Sequence, residues 1–270
     1  MNSSPFDLTG HRSLITGGTQ GVGAAIARSL AQAGADVVIV GLKDDDAAQG
    51  TLSLCRSEGV KADLIIQDLS QPPSEYLDAL MERVDEVQPG IDLLINNAGT
   101  YIDAPFLEMT QECFQKTMSL NVYAGYFLTQ AFARRWIADG ISGRVLFTGS
   151  INGLLSEPDH TAYDTSKGAV AAMVRSLCVS LAPHKIRVNS MAPGLVRTPL
   201  TDILNQNKQL DDWMKLHTPS GEVPEADVCG GTAVFLLSDA ASHVHGQTVY
   251  VDGGMSAWQQ PDPPRGWSAN

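Results

Sequence analysis

The chain of 270 residues is short of basic side chains: 18 Lys and Arg face 30 Asp and Glu, a formal net charge of −12. That balance argues against a nucleic-acid partner, whose phosphates need a basic face. It also argues against an anionic membrane surface. No apolar run approaches the ~18 residues of a membrane span. The polar start at residues 1–10 has neither the basic nor the apolar region of a secretory signal, so a soluble, cytoplasmic protein is expected. Cysteine is sparse as well. Cys55, Cys113, Cys178 and Cys229 form no Cys-x-x-Cys pair and have no histidine at ligand spacing, so no metal site is expected. Nothing beside them in sequence would activate a thiol.

What is present is a hydrophobic fraction of 43%, enough for a sizeable core. Valine-rich apolar runs too short for core helices alternate with longer helical stretches. Strands are expected at 11–16, 35–42, 62–67, 93–96, 144–149, 186–192 and 248–251, and helices at 23–34, 74–87, 111–138, 161–181 and 223–237. The strands read as continuous apolar runs, which is the pattern of parallel strands buried on both faces. The expected fold is α/β: a single-domain Rossmann fold, its doubly wound seven-stranded parallel sheet carrying helices on both faces. One domain spans 1–270, with a core over 8–254 and an irregular tail over 255–270. No repeat or linker divides it.

Between the first strand and first helix lies Thr16-Gly17-Gly18-Thr19-Gln20-Gly21-Val22-Gly23. Glycine there permits positive φ and lets backbone N–H groups and the helix dipole approach a pyrophosphate. Alone, such a turn has a second reading as a mere tight strand-to-helix corner, the less favoured of the two. Tyr163 and Lys167 are four residues apart at the start of a helix, so they share one face. A cation beside a phenol stabilises its phenolate, which is what a tyrosine acid/base requires near neutral pH. An isolated pair of this kind is more often an ordinary surface pair. Ser150 follows a strand end, where ligands of parallel sheets collect, and its hydroxyl can donate to a carbonyl oxygen. Asn96-Asn97-Ala98-Gly99 follows another strand end.

Taken in order, the turn at residues 16–23, Asp68-Leu69, Asn96 to Gly99, Asn121, Ser150, Tyr163/Lys167, and Pro193-Gly194 through Thr198 resemble the short-chain dehydrogenase/reductase family along residues 8–254. Its glucose/polyol dehydrogenase and 3-oxoacyl-ACP reductase-like members are the nearest in pattern. The resemblance implies hydride transfer between NAD(P) and a secondary alcohol or ketone, or a sugar or polyol carbinol. It makes Tyr163 the general acid/base and Ser150 the group that polarises the substrate oxygen. Lys167 lowers the tyrosine pKa and binds the nicotinamide ribose, and Asn121 holds a relay water. For the cofactor it implies Gly17, Thr19, Gln20, Gly21, Val22 and Gly23 at the pyrophosphate. Asp68, Leu69, Asn96, Asn97, Ala98 and Gly99 lie on the adenine and adenosine side, and Pro193, Gly194, Val196 and Thr198 at the nicotinamide. The main alternative is a non-catalytic NAD(P)-binding sensor on the same fold.

At the end of the second strand, where a carboxylate would select NAD, stands Gly41. Lys43 can pair with a 2′-phosphate, although Gln20 and Leu42 fill the two places where the family most often has an NADP-binding arginine. Asp44, Asp45 and Asp46 add opposing charge. The balance favours NADP over NAD. A lid over 195–224 holding Trp213, Met214 and His217 is expected above a floor of Asn152, Leu154, Glu157 and His160, whose polarity suggests a sugar or polyol. Phe114, Tyr123, Phe127, Val170, Met173 and Leu177 suggest surplus apolar helix faces. By the resemblance these build a four-helix dimer doubled into a homotetramer, and the tail with Trp258 and Trp267 reaches a neighbouring subunit.

Overall fold

The structure, a computed structural model, describes residues 4–258. Seven parallel strands form one sheet in the order β3-β2-β1-β4-β5-β6-β7. They are β1 (Arg12–Thr16), β2 (Asp36–Gly41), β3 (Ala62–Ile66), β4 (Leu93–Asn96), β5 (Arg144–Thr148), β6 (Arg187–Pro193) and β7 (Thr248–Val251). The first three helices are α1 (Gly21–Gln32), α2 (Asp46–Ser57) and α3 (Pro73–Val87). Then come α4 (Gln111–Met118), α5 (Ala124–Asp139), α6 (Thr161–Leu181), α7 (Ile203–Gln206), α8 (Lys208–Leu216) and α9 (Gly230–Leu237).

Successive strand residues face opposite sides, so each strand feeds two cores. Leu14, Val38, Leu94, Val145 and Phe147 pack with α3, α5 and α6 through Leu80, Phe132, Trp136 and Val174. Their neighbours Ile15, Ile39, Leu93, Ile95 and Leu146 pack on the other face with α1, α2 and α9 through Ile26, Leu30, Leu52 and Leu236. Each such side chain contributes roughly 1.5–3 kcal/mol by leaving water. That two-sided demand is why apolar residues dominate the strands.

The chain leaves β1 towards β2 and β3, then returns to β4 on the other side of β1. This reversal opens a crevice at the carboxyl ends of β1 and β4, the place where open α/β sheets bind ligands.

Two expected elements differ, and helix α2 is additional. The stretch 111–138 is not one helix: α4 and α5 are joined by a π-helical turn, Ser119–Tyr123, which carries Asn121. Such turns insert a residue into the helical ladder and re-aim its side chains. The stretch 223–237 is a 3-10 turn, Ala226–Cys229, followed by α9. Helix α2 was not expected, because polar residues interrupt its apolar face. It starts where Asp45 caps the Ala48 N–H at 3.0 Å. The expected tail begins as a 3-10 turn, Met255–Ala257. Trp267 lies outside the described residues.

Candidate active site

A cleft of about 670 Å3 opens along the carboxyl ends of the strands. Its first wall is the turn after β1. Gly17 (φ +64°) and Gly21 (φ +57°) occupy left-handed conformations that favour glycine. A Cβ on Gly17 would meet Ala98 Cα at 2.9 Å, and one on Gly23 would meet the Gly17 carbonyl at 2.2 Å. Asn97 clamps this corner: its Nδ2 donates to the carbonyls of Thr16 (3.1 Å) and Gly17 (2.9 Å), while its Oδ1 accepts from Thr148 Oγ1 (3.1 Å).

Helix α1 then starts with no side-chain cap and no acidic residue in its first turn, whereas α2 and α4 are capped by Asp45 and Thr110. An uncapped N-terminus over a glycine turn in a cleft fits the pyrophosphate of a dinucleotide, which brings the missing acceptors. Gly17, Thr19, Gln20, Gly21, Val22 and Gly23 all line the cleft here.

Farther along, Gly41, Leu42, Asp68 and Leu69 line the end near β2 and β3. Asp68 accepts from Ser70 N (2.8 Å) and Oγ (2.7 Å), and the Ser70 hydroxyl bond leads the effects that hold its carboxyl below the usual range. Lys43 is exposed and is not part of the lining. Asp45 is spent on capping α2 and Asp44 accepts from Gln49 Nε2 at 2.5 Å, so neither turns back to the site.

Asn97, Ala98 and Gly99 line the middle of the cleft, but Asn96 does not. It is the last residue of β4 and is buried, donating to Thr129 Oγ1 at 3.0 Å. On the far side, Pro193, Gly194, Val196 and Thr198 follow β6 into the lining.

The reactive groups converge in the centre. Ser150 directly follows the strand extension at Gly149 and engages Asn152, accepting from its N–H at 3.1 Å and donating to its Oδ1 at 3.3 Å. Tyr163 and Lys167 stand one turn apart on α6, with Lys167 Nζ 5.5 Å from the centroid of the Tyr163 ring. Burial raises the Tyr163 pKa, and the neighbouring Ser150 hydroxyl opposes that. Burial also lowers the Lys167 ammonium to about 8. Its Nζ donates to the Thr148 carbonyl at 2.9 Å, the one acceptor that holds it at the end of β5.

Asn121 is locked in place. Its Oδ1 accepts from Thr100 N (2.8 Å) and its Nδ2 donates to Thr100 O (2.9 Å) and Ser166 Oγ (2.9 Å). A cavity of about 10 Å3 lies between Asn121, Lys167 and Thr148. Asn96, whose Oδ1 is buried without a partner, also faces it.

Asn152, Glu157 and His160 line the cleft beside Tyr163. Leu154 does not, and is exposed at the rim. Asn152 Nδ2 donates to Asp164 Oδ1 at 2.9 Å, and the Asp164 carboxylate also accepts from Glu157 N at 3.1 Å. Over this floor, Leu195, Leu200, Ile203, Leu204, Leu210 and Met214 present an apolar lid.

Trp213 is not in the lining. It stacks on His217 with ring centroids 3.8 Å apart and is 51% exposed, because positions 213 and 214 of a helix face different ways. Sequence reasoning missed Thr100, Tyr101, Thr148 and Met255, all of which line the cleft. Thr100 and Tyr101 carried a signal, lying one and two residues beyond the Asn-Asn-Ala-Gly run, and Thr148 lies two residues before Ser150.

Residues 17–256 match the family model described as enoyl-(acyl carrier protein) reductase. Gluconate 5-dehydrogenase of Gluconobacter oxydans (strain 621H) is 34% identical, over 93% of this chain and 96% of its own. A tropinone reductase homolog of Arabidopsis thaliana is 36% identical over 94% of each chain. The crystal structure of a gluconate 5-dehydrogenase from Burkholderia cenocepacia J2315 in complex with NADP and tartrate superposes with a TM-score of 0.87. It is 33% identical, covering 94% of this chain and 98% of that one. Site and likeness agree over nearly the whole length: this chain belongs to the short-chain dehydrogenase/reductase family of NAD(P)-dependent oxidoreductases.

Proposed function

We propose that this enzyme interconverts a hydroxylated ketone and its secondary alcohol with NADP, using Tyr163 as the general acid/base. The observation that carries the reading is the meeting of Tyr163, Ser150 and Lys167 in one cleft, beside an uncapped helix N-terminus over a glycine turn. When bound, the nicotinamide supplies or accepts the hydride.

The chain's own residues do the rest. The turn at residues 17–23 binds the pyrophosphate through backbone N–H groups. Asp68, Leu69, Ala98 and Gly99 hold the adenosine, and Pro193, Gly194, Val196 and Thr198 orient the nicotinamide. Ser150 Oγ donates to the substrate oxygen and Tyr163 OH gives it a proton in reduction, or removes one in oxidation. The buried Lys167 ammonium favours the phenolate. The cavity beside Asn121 is sized for one water, with the orphaned Asn96 Oδ1 and Lys167 as partners, and would link Lys167 to a proton relay.

NADP over NAD rests on the missing carboxylate at Gly41, and on relatives crystallised with NADP. A sugar or polyol is favoured by Asn152, Glu157 and His160 in the floor and by the relatives' names, gluconate 5-dehydrogenase and 5-keto-D-gluconate 5-reductase. The test is turnover of NADPH with a panel of keto sugars, acyl thioesters and aryl ketones, in wild type and Tyr163→Phe. Wild-type turnover that falls at least a thousandfold in the variant, with cofactor binding retained, is expected. An equally active variant overturns the mechanism, and cofactor binding without turnover on any carbonyl would favour the sensor alternative.

We further propose one cytoplasmic domain, core 8–254, assembled as a homotetramer. Cys55, Cys113, Cys178 and Cys229 are all unpaired, as suits a reducing compartment. Phe114, Tyr123, Tyr126 and Phe127 on α4, α5 and the turn between them are 37–48% exposed, a face in need of cover. Val170 and Met173 on α6 belong to the face that packs in the core. Light scattering checks the assembly, and a monomer near 28.8 kDa at micromolar concentration refutes it.

A further inference from the structure

Two carboxylates flank His160 at the substrate end of the cleft: its Nε2 is 3.0 Å from Asp103 Oδ1 and its Nδ1 3.4 Å from Glu157 Oε1, and of the two Glu157 lines the cleft. Asp103 also accepts from Tyr101 OH at 2.5 Å. Tyr101 stands edge-on to both His160 and Tyr163, with centroids 4.9 and 5.7 Å away. The wall is therefore continuous with the phenol that handles the proton. With His160 neutral, Asp103 and Glu157 give it a charge of −2, and a protonated His160 leaves −1. Glu157 lines the cleft with its side chain half exposed, and Asp164 lies behind it, bonded to Asn152.

Cations that would balance an anionic substrate are already committed. Among the described residues, Lys167 is the only lysine or arginine lining the cleft, and its ammonium is bonded to the Thr148 carbonyl. On the lid, Arg197 and Lys215 pair with Asp211, and Lys208 pairs with Asp212. A carboxylate brought beside Tyr163 would meet like charge and give up hydration without gaining a partner. An ammonium or hydroxyl group there would donate to the Glu157 carboxylate instead.

We propose that this wall sets the charge of the substrate: the reacting carbon carries uncharged hydroxyl or protonated amine neighbours, and carboxylate-bearing analogues are rejected. Glu157 is the specificity-determining residue: its Oε1 accepts from Asn152 Nδ2 at 3.5 Å and its backbone N–H donates to Asp164 at 3.1 Å. The inference rests on the hydroxylated-carbonyl reading above, and departs from the sugar acids for which gluconate 5-dehydrogenases are named. Rejection by an unpaired charge is a common route to specificity.

The experiment compares three C2 ketones of equal chain length with NADPH, differing only at C1: fructose, 1-amino-1-deoxyfructose and 2-keto-D-gluconate. Wild type is expected to show kcat/KM at least tenfold higher for the neutral and amino ketoses than for the keto acid, about 1.4 kcal/mol. Glu157→Gln should narrow that ratio at least threefold, and Glu157→Lys should narrow it further, mainly through KM of the keto acid. Circular dichroism checks that both variants fold, and the wild-type ratio decides the matter if they do not. A keto acid used as well as fructose, or a ratio that ignores both substitutions, overturns the charge rule and leaves the proposed reaction intact. Turnover of none of the three, with aryl or aliphatic ketones reacting, overturns the hydroxylated-substrate reading and the charge rule with it.

Discussion

Asn121 and Thr100 form a closed pair: the Asn121 side-chain amide exchanges two hydrogen bonds with the backbone of Thr100, at 2.8 and 2.9 Å. This fastens the π turn between α4 and α5 to the loop that leaves β4. A third bond, to Ser166 Oγ at 2.9 Å, ties both to the helix that carries Tyr163 and Lys167. One buried side chain thus holds three elements of the site in register.

Replacing it should therefore cost both stability and rate. Asn121→Ala leaves the Thr100 peptide and Ser166 without their partners, worth about 1–3 kcal/mol. Thermal unfolding should fall by several degrees and kcat should fall more than tenfold. A melting temperature and kcat both equal to wild type would show that the pairing fastens nothing.

Lys167 gives a pH test with a definite sign. Burial lowers its pKa from 10.5 to about 8, so between pH 8 and 10.5 the unfolded chain binds more protons than the folded one. Stability contributed at this position accordingly rises with pH through that window and is lowest below pH 8. Lys167→Met abolishes the dependence. Relative to wild type it should be most favoured at pH 7, and lose that relative advantage, on the order of 3 kcal/mol, by pH 10. Melting curves of both proteins from pH 7 to 10 check this, and a constant difference would contradict a lowered pKa.

Cofactor choice is testable at Gly41. A side chain there meets Thr19 Cγ2, since a Cβ would come within 2.7 Å of it. Gly41→Asp alone should lose about 1–3 kcal/mol of stability by overpacking. Combined with Thr19→Ser, which removes that methyl, it should shift the NADP/NAD ratio of kcat/KM towards NAD by tenfold or more. Wild type preferring NAD, or a double variant with an unmoved ratio, would defeat the assignment of NADP.

Local pattern alone determined much of this protein. Apolar runs placed all seven strands because strands packed on both faces need apolar side chains at successive positions. The glycine turn, Ser150, Tyr163 and Lys167 were legible together, through the order and spacing along the chain that resemble the short-chain dehydrogenase/reductase pattern, and not from any one spacing alone. Other features answer to distant partners and were decided only by the tertiary structure. The break around Asn121 depends on Thr100 and Ser166, 21 and 45 residues away. Asn96 points into the interior while Asn97 clamps the turn, and two adjacent identical residues cannot reveal which does which. Lys43 and Trp213 have suitable chemistry but lie outside the cleft, since loop direction and helix phase are fixed by packing. The acidic wall joins Asp103, Glu157 and His160 across more than 50 residues, so its charge is a property of the folded cleft alone.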